Sequence, residues 1–415
     1  MAPPDSCDVA IVGAGAAGLA TAIFARRLNP SRSVVLLDGA KKPGAKILVS
    51  GGGRCNVTNV SVTDADFNGG RRSIIRRVLR GFPVADTVAF FRAIGVPLHE
   101  EADGKLFPDS NRARDVVAAL LREAEAAGVV LRAGHRVRDL APTDEGFRLV
   151  MSEGDLHARH VVLATGGRSL PKSGSDGAGL DIARRLGHTI VPTTPALVPL
   201  RLAEDEPLHR RLTGVAMHVE LTVRADEAVT ARIRGALLWT HFGTSGPATL
   251  DVSRHWLRAG LEGRTVALTA SFCPGERFED VEAWWTRAAA ERPRASVPTV
   301  LATRLPASAA GAIVGALGLD AAPALAHLPR SERRRLAHAL VEWPLPVTGS
   351  RGYNYAEVTA GGVDLGEIDS AAMASRVCRG LFLVGEILDV DGRVGGFNFQ
   401  WAWASARVAA RALAV

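Results

Sequence analysis

The stretch Asp8-Val-Ala-Ile-Val-Gly-Ala-Gly-Ala-Ala-Gly18 carries the most structural information in this 415-residue chain. Val9 to Val12 is a short apolar run of the kind that forms a buried strand, and the glycines that follow have the spacing Gly13-x-Gly15-x-x-Gly18. Leu19 to Leu28 then reads as a helix and Ser33-Val-Val-Leu-Leu-Asp38 as a second strand, which completes a βαβ unit. The three glycines serve different ends. Gly13 permits the tight bend, Gly15 lets a pyrophosphate approach the backbone, and Gly18 lets the helix pack closely on the strand. Ala16 and Ala17 lie at the helix start, whose free N–H groups face an anion. Asp38, ending the second strand, is placed to accept hydrogen bonds from ribose hydroxyls. The unit therefore binds a dinucleotide, but this fingerprint does not separate FAD from NAD(P).

Two later segments make that distinction. Lys46-Ile-Leu-Val-Ser-Gly-Gly-Gly-Arg-Cys-Asn-Val-Thr-Asn59 is a polar loop with three successive glycines, suited to wrapping a long ligand with backbone amides. It aims Gly52, Gly53, Arg54, Cys55 and Asn56 at that ligand, with Lys46 beside them. The second is Val384-Gly-Glu-Ile-Leu-Asp-Val-Asp-Gly-Arg-Val-Gly-Gly-Phe-Asn-Phe-Gln-Trp-Ala-Trp403. A strand ending at Gly385-Glu386 sets a carboxylate against ribitol hydroxyls, and Gly396-Phe397-Asn398 opens a helix whose N–H groups suit the N1/C2 carbonyl edge of a flavin. Together these select FAD. Val137, Thr165, Gly166 and Asp391 complete the expected cofactor set.

The chain reads as α/β, with its first domain discontinuous. Gly128-Val-Val-Leu-Arg and His160-Val-Val-Leu-Ala-Thr-Gly-Gly167 read as further buried strands, separated by a polar hairpin-like stretch from Thr143 to Gly154. Pro192, Pro195 and Pro199 mark a crossing into another domain. The pattern is strand-like from Arg201 to about Ser271, as in His218-Val-Glu-Leu-Thr-Val-Arg224. It turns helical from Phe278 to Val341, with breaks at Pro293, Pro298, Pro306 and Pro323. Gly380-Leu-Phe-Leu-Val-Gly-Glu386 and a final helix from Phe397 to Val415 return to the opening style. The expected division is 1–194 with 346–415 for FAD, and 195–345 as an inserted substrate domain, β-rich over 195–272 and helical over 275–345.

The totals exclude several classes. Hydrophobic residues make up 47% and charged residues 22%, which is globular rather than disordered composition. No stretch reaches the ~18 to 20 apolar residues that span a bilayer, and no basic, apolar leader precedes Asp8, so a cytoplasmic, non-membrane protein is expected. Cys7, Cys55, Cys273 and Cys378 are scattered with no CxxC pair or histidine cluster, so neither a disulfide framework nor a metal site is expected. The net charge of +7 suits an anionic partner such as RNA, but only five of the 50 basic residues are lysine, as Arg-rich genomic composition also produces. In Arg71-Arg-Ser-Ile-Ile-Arg-Arg-Val-Leu-Arg80 the residues Arg72, Arg76 and Arg80 align on one helical face, with no aromatic platform among them. Oligomeric state is left open; a monomer suffices.

The glycine loop at Ser50 to Asn59 and the C-terminal Gly-Glu to Gly-Gly-Phe-Asn-Phe-Gln-Trp-Ala run combine with Trp239-Thr-His-Phe-Gly-Thr-Ser-Gly-Pro247 and Val358-Thr-Ala-Gly-Gly-Val363. In this combination the chain resembles the BaiN/RdsA-like (YhiN-like) family of FAD-dependent oxidoreductases over nearly its whole length. The resemblance implies a glutathione-reductase-like Rossmann FAD domain interrupted by a small β-barrel with a helical part. It also implies reduction of a conjugated C=C bond, in a bile-acid-type enone or in a uridine of large-subunit ribosomal RNA. Lys172-Ser-Gly-Ser-Asp-Gly-Ala-Gly179 stands where the family usually carries Thr-Gly-Ser-Thr-Gly-Asp-Gly, and Thr244 where an aliphatic residue is commoner, which places the chain in a side branch.

The expected chemistry is hydride transfer from reduced flavin to the electron-poor carbon, with a protein acid protonating its neighbour. No second dinucleotide unit is evident, so NADH or NADPH would dock transiently as donor. Cys55, with a free-thiol pKa of ~8.5, and His241 are the candidate acids; Arg351 and Tyr353 are candidate substrate contacts. The alternative from another class is a flavin-holding binding protein or redox sensor with little turnover.

Overall fold

The computed structural model describes residues 5–319 and 324–415. The expected break at Pro323 lies outside these residues. Contacts divide the chain into two compact units, Met1–Pro195 with Glu357–Val415, and Ala196–Ala356.

In the first unit, strands Leu381–Leu383, Leu156–Leu163, Ser6–Val12, Val34–Asp38 and Val130–Ala133 lie side by side in that order and run parallel. Buried on both faces, the inner strands read as continuous apolar runs. Their register decides where the site forms. Val12 is level with Leu37 and Leu163, and Leu163 with Leu383. The carboxyl ends of four strands therefore finish together, delivering Gly13, Asp38, Thr165 and Gly385 to one edge, where open α/β sheets bind ligands.

One expectation needs correction here and one is extended. Val130–Ala133 is an edge strand, with Val130 40% and Leu131 37% exposed, because no strand among the described residues pairs with its outer side. The polar hairpin-like stretch is part of a three-stranded antiparallel ribbon, Val137–Thr143, Gly146–Met151 and Leu156–Leu163, joined to the main sheet through its last strand.

Helix Ala16–Leu28 packs on the C-terminal helix Phe397–Leu413, whose many alanines let the two backbones approach. Their flank is an aromatic chain. Phe24 meets Phe82 and Phe90, Phe90 meets Phe91, and Phe91 meets Trp403, each with ring centroids 4.9 to 5.2 Å apart. Such pairs contribute about 0.5–1.5 kcal/mol each beyond area burial. Trp401 and Trp403 are both buried.

The second unit has a seven-stranded antiparallel sheet whose two outermost members, Trp343–Leu345 and Val347–Ser350, are consecutive in the chain and separated only by Pro346. This connection forces the sheet to curl into a barrel. Val347–Ser350 pairs with Leu200–Leu202, so the chain leaves this unit at Ala356 and not at residue 345. The region Arg201 to Ser271 is not all strand. Pro247–Leu261 is a helix, started by Gly246 and by Pro247 at its first position, where the missing N–H costs nothing. Helices Phe278–Glu291, Val297–Leu301, Ala307–Ala316 and Arg330–Val341 follow; Pro298 lies within the first turn of its helix and does not break it. Among the described residues no helix is long and apolar enough to cross a membrane.

Candidate cofactor and active site

At the first turn, the three glycines meet three different surroundings. A Cβ on Gly18 would lie 1.8 Å from the Gly13 carbonyl oxygen, and one on Gly13 2.5 Å from that of Ala164, whereas one on Gly15 would meet nothing within 4 Å. Gly13 and Gly18 are thus fixed by packing, and Gly15 faces open space above the helix start. Helix Ala16–Leu28 has no side-chain cap, so its leading N–H groups point into that space. Asp38 is tied to the turn: Ala14 N–H donates to its Oδ2 and Ala40 N–H to its Oδ1, both at 2.7 Å. Beside it Arg136, preceding Val137 on the neighbouring ribbon, packs over Gly39.

The triple-glycine loop begins as helix at Ala45 and leaves it at Ser50, after which Gly51, Gly52 and Gly53 all adopt left-handed backbone. Side chains disfavour that conformation, and three in succession require glycine. Cys55 follows, also left-handed at φ 65°, with its N–H donating to Ser50 O. Its thiol is fully buried rather than presented at a surface, and burial pushes its pKa up to about 12. Arg54 lies over Phe107, its guanidinium 4.1 Å from the ring centroid, and ion-pairs with Glu101 at 2.7 Å. Burial works against ionisation of Glu101, but hydrogen bonds from Arg54 and His99 outweigh it and hold the carboxyl below its ordinary range.

The C-terminal run is stitched to this loop by side chains that the sequence does not single out. Trp403 Nε1 donates to Val57 O, and Gln400 accepts from Thr58 and Thr87 while donating to Phe82 O. Asn59 Nδ2 donates to Gly395 O. A Cβ on Gly396 would sit 2.4 Å from Thr58 O, so the helix start at Phe397 lies directly on the loop. Asn398 is used locally: it accepts from Gly392 N–H and donates to Gly392 O. Phe397 and Asp391 are buried.

Glu386 is the centre of a polar network. Lys46 Nζ donates to its Oε2 and to Ser169 Oγ, Ser169 Oγ donates to its Oε1 at 2.8 Å, and Thr359 N–H donates to the same oxygen at 2.9 Å. Thr359 Oγ1 in turn accepts from the Arg168 and Ser169 N–H groups. Lys46 and Glu386, far apart in sequence, thus share one ion pair at the strand ends. Ser169 and Thr359 are not legible in the sequence as site residues; the polar Thr in Val358-Thr-Ala-Gly-Gly-Val363 is the available signal.

The residues fit a bound FAD. The open face of Gly15 and the uncapped helix start suit a pyrophosphate, and among the described residues three buried polar atoms have no hydrogen-bond partner: Thr165 Oγ1 just past a strand end, Ser175 Oγ beside Gly166, and Asn56 Oδ1 in the glycine loop. A Cβ on Gly166 would lie 2.7 Å from that Ser175 oxygen and 3.7 Å from Glu386, so the unpartnered serine borders the carboxylate network. Buried polar groups are normally satisfied, and a ligand rich in hydroxyls and amides would satisfy these.

The HI0933-like protein Rossmann domain matches residues 7–412. The chain belongs to this family, a family of FAD-dependent oxidoreductases. A protein named ribosomal RNA dihydrouridine synthase from Escherichia coli K12 is 35% identical over 98% of both chains, and one of the same name from Haemophilus influenzae is 32% identical over 95% of this chain and 96% of its own. A protein from Clostridium scindens named 3-dehydro-bile acid delta(4,6)-reductase is 30% identical over 98% of both. Among solved structures, an E. coli quinol fumarate reductase covers 99% of this chain and 70% of its own at TM-score 0.50 and 16% identity, a likeness of fold.

The remaining candidates lie in the second unit. His241 is exposed at the turn between Ala228–Thr240 and Gly243–Ser245, its ring edge-on to Phe242 at 5.1 Å. The Arg351 guanidinium packs over the same Phe242, 4.6 Å from the centroid, and over Tyr355 at 3.5 Å. His241 and Arg351 are thereby brought together through a phenylalanine, and Tyr353, half-buried, stands two residues along. Phe242 and Tyr355 give no signal in the sequence because their role comes from ring contacts with Arg351 that the fold assembles.

Proposed function

We propose that the chain reduces the conjugated C=C bond of a uridine in ribosomal RNA, with FAD as resident cofactor and NADH or NADPH as transient donor. The observation that carries this reading is the match, over nearly the whole length of both chains, to two proteins named for ribosomal RNA dihydrouridine synthesis. When bound, FAD supplies a hydride for an electron-poor carbon conjugated to a carbonyl.

The chain's own residues then hold and orient. The turn from Gly13 to Gly18 takes the pyrophosphate, Asp38 the ribose, Glu386 with Lys46 the ribitol hydroxyls, and the helix start at Gly396, Phe397 and Asn398 the polar edge of the ring. Placing a helix N-terminus there favours negative charge on that edge. Gly52, Gly53, Arg54 and Asn56 line the loop, Arg54 being held in place by Glu101 and Phe107. Val137, Thr165, Gly166 and Asp391 complete the cradle.

The proton for the adjacent carbon we assign to His241, the candidate acid that solvent reaches. Full burial of Cys55 supports a packing role for that thiol. Reduction of a small enone is the second reading, favoured by the relative named as a bile acid reductase.

Nucleoside mass spectrometry of large-subunit ribosomal RNA from a deletion strain tests the first reading. Dihydrouridine is expected to disappear and to return with the wild-type gene but not with Gly15→Val. An unchanged nucleoside profile would overturn the RNA reading, and reoxidation of the reduced protein by an enone would then establish the second. Reoxidation by neither RNA nor enone would leave a flavin-holding sensor.

A further inference from the structure

The end of the barrel formed by the turn after Thr240 and the loop after Ser350 carries an ordered stack of π-systems in the open. Tyr355 is 52% exposed, unusual for so large a ring, and one face of it is backed by the Arg351 guanidinium at 3.5 Å. The same guanidinium also lies over Phe242, 4.6 Å from its centroid, with His241 edge-on to that ring. Arg351 is positioned from its backbone as well, its N–H donating to Pro199 O. Neither Arg351 nor the exposed Arg201, which pairs in register with Gly243 and Gly349 on the two strands flanking it, has a carboxylate within ion-pair distance among the described residues.

These features share a requirement. A guanidinium in contact with two rings is restrained by both, so the exposed tyrosine that it backs presents a pre-set aromatic face. Two arginines without a carboxylate partner among the described residues, on strand and loop segments at this end of the barrel, call for an anion. A ligand with a planar π-face and a neighbouring phosphate satisfies both; a steroid enone has its π-system within a largely saturated skeleton and carries no phosphate.

We propose that Tyr355, backed by Arg351 and Phe242, is a stacking platform for an unpaired base of single-stranded RNA, with Arg351 and Arg201 meeting the adjoining phosphates. This inference rests on the reading of RNA as substrate and adds to it the surface that grips the strand. It differs from the arginine face of helix Arg72–Arg80, which offers charge without stacking, and where Arg76 is already paired with Asp64.

The test is fluorescence anisotropy of a labelled, uridine-rich single-stranded RNA titrated with FAD-loaded protein across a salt series. Tyr355→Ala is expected to weaken binding roughly 5- to 160-fold, the range for losing one base stack, with FAD content unchanged. Tyr355→Phe, which keeps the ring, should bind as the wild type does. Arg351→Ala and Arg201→Ala should each lower the salt slope by about 0.7, one phosphate contact on a single strand. Equal binding by Tyr355→Ala and wild type overturns the platform while leaving RNA as substrate. Equal loss in Tyr355→Ala and Tyr355→Phe also overturns it, since the hydroxyl and not the ring would be at work. Failure of the wild-type protein to bind any RNA would remove both the platform and the RNA reading.

Discussion

The cradle of the first unit and the barrel end of the second differ in how their polar groups are held. In the cradle nearly every side chain is committed to the chain itself: Asp38 to two backbone N–H groups, Glu386 to Lys46, Ser169 and Thr359, Gln400 to three partners. At the barrel end His241, Arg351 and Tyr355 are held through ring faces and remain reachable by solvent. A ligand that never leaves suits a rigid frame in which only a few atoms await partners. A substrate that must come and go suits exposed groups whose geometry is fixed from behind.

The sharpest way to break this contrast is at the first turn, where two neighbouring glycines are expected to fail differently. Gly18→Val forces a side chain into the Gly13 carbonyl, and the protein should lose on the order of 4 kcal/mol or more and be recovered mostly unfolded. Gly15→Val enters open space, so thermal unfolding of the FAD-free protein should match the wild type while flavin content, read from the visible flavin absorbance, collapses. Equal thermal stability of both variants would refute the separation of packing from binding.

A smaller effect is expected at the ion pair. Lys46→Met leaves the Glu386 carboxylate without its cation, a loss of about 1.5–3 kcal/mol for a hydrogen bond to a charged group. If Glu386 must stay ionised and oriented for the cofactor, the dissociation constant for FAD measured by fluorescence quenching should rise roughly tenfold or more. Unchanged FAD affinity would reduce the pair to a structural tie.

Cys55→Ala comes next. A small buried side chain is trimmed, costing about 1 kcal/mol, and reoxidation of the reduced protein by substrate should keep its wild-type rate. His241→Asn should slow the same step. The opposite outcome would return the proton to the thiol, despite a pKa pushed up to about 12.

The smallest expected effect lies away from the cofactor, where His188 joins Glu367 at 2.7 Å and Ser375 at 2.8 Å. Burial raises the Glu367 pKa, but hydrogen bonds from Thr189 and His188 outweigh it and hold the carboxyl below its ordinary 4.5. A depressed carboxyl contributes stability that is complete above its unfolded value and is lost as the pH falls through the folded one. The melting temperature of Glu367→Gln should therefore lie slightly below wild type at neutral pH, by the equivalent of under about 1 kcal/mol. The gap should close as the pH drops below 4.5; a gap that widens on acidification would contradict this assignment.

Much of the first unit is legible in the sequence because its determinants are local. The glycine spacing, the apolar strand runs and the Ala-rich final helix each state their own structure, and strand register then carries Asp38, Thr165 and Gly385 to one edge. Ser169, Ser175, Thr359 and Gln400 escape a sequence reading because their surroundings are assembled from distant segments: Ser169 Oγ and Glu386 are 217 residues apart, Thr58 and Gln400 342. The helix Pro247–Leu261 is hidden by strand-like runs on both sides, although Ser-Gly-Pro at its start is a helix signal. Cys55 reads as pointing at the ligand because three glycines precede it, but a left-handed φ turns its side chain into the core. Exposed rings such as Tyr355 carry no pattern in sequence at all.

Anaerobic mixing of the reduced, FAD-loaded protein with ribosomal RNA from the deletion strain tests the central claim most directly. The account predicts recovery of oxidised-flavin absorbance together with an equimolar gain of dihydrouridine in that RNA, neither of which occurs with RNA from the wild-type strain. Flavin that stays reduced, or reoxidises with no dihydrouridine formed, would contradict it.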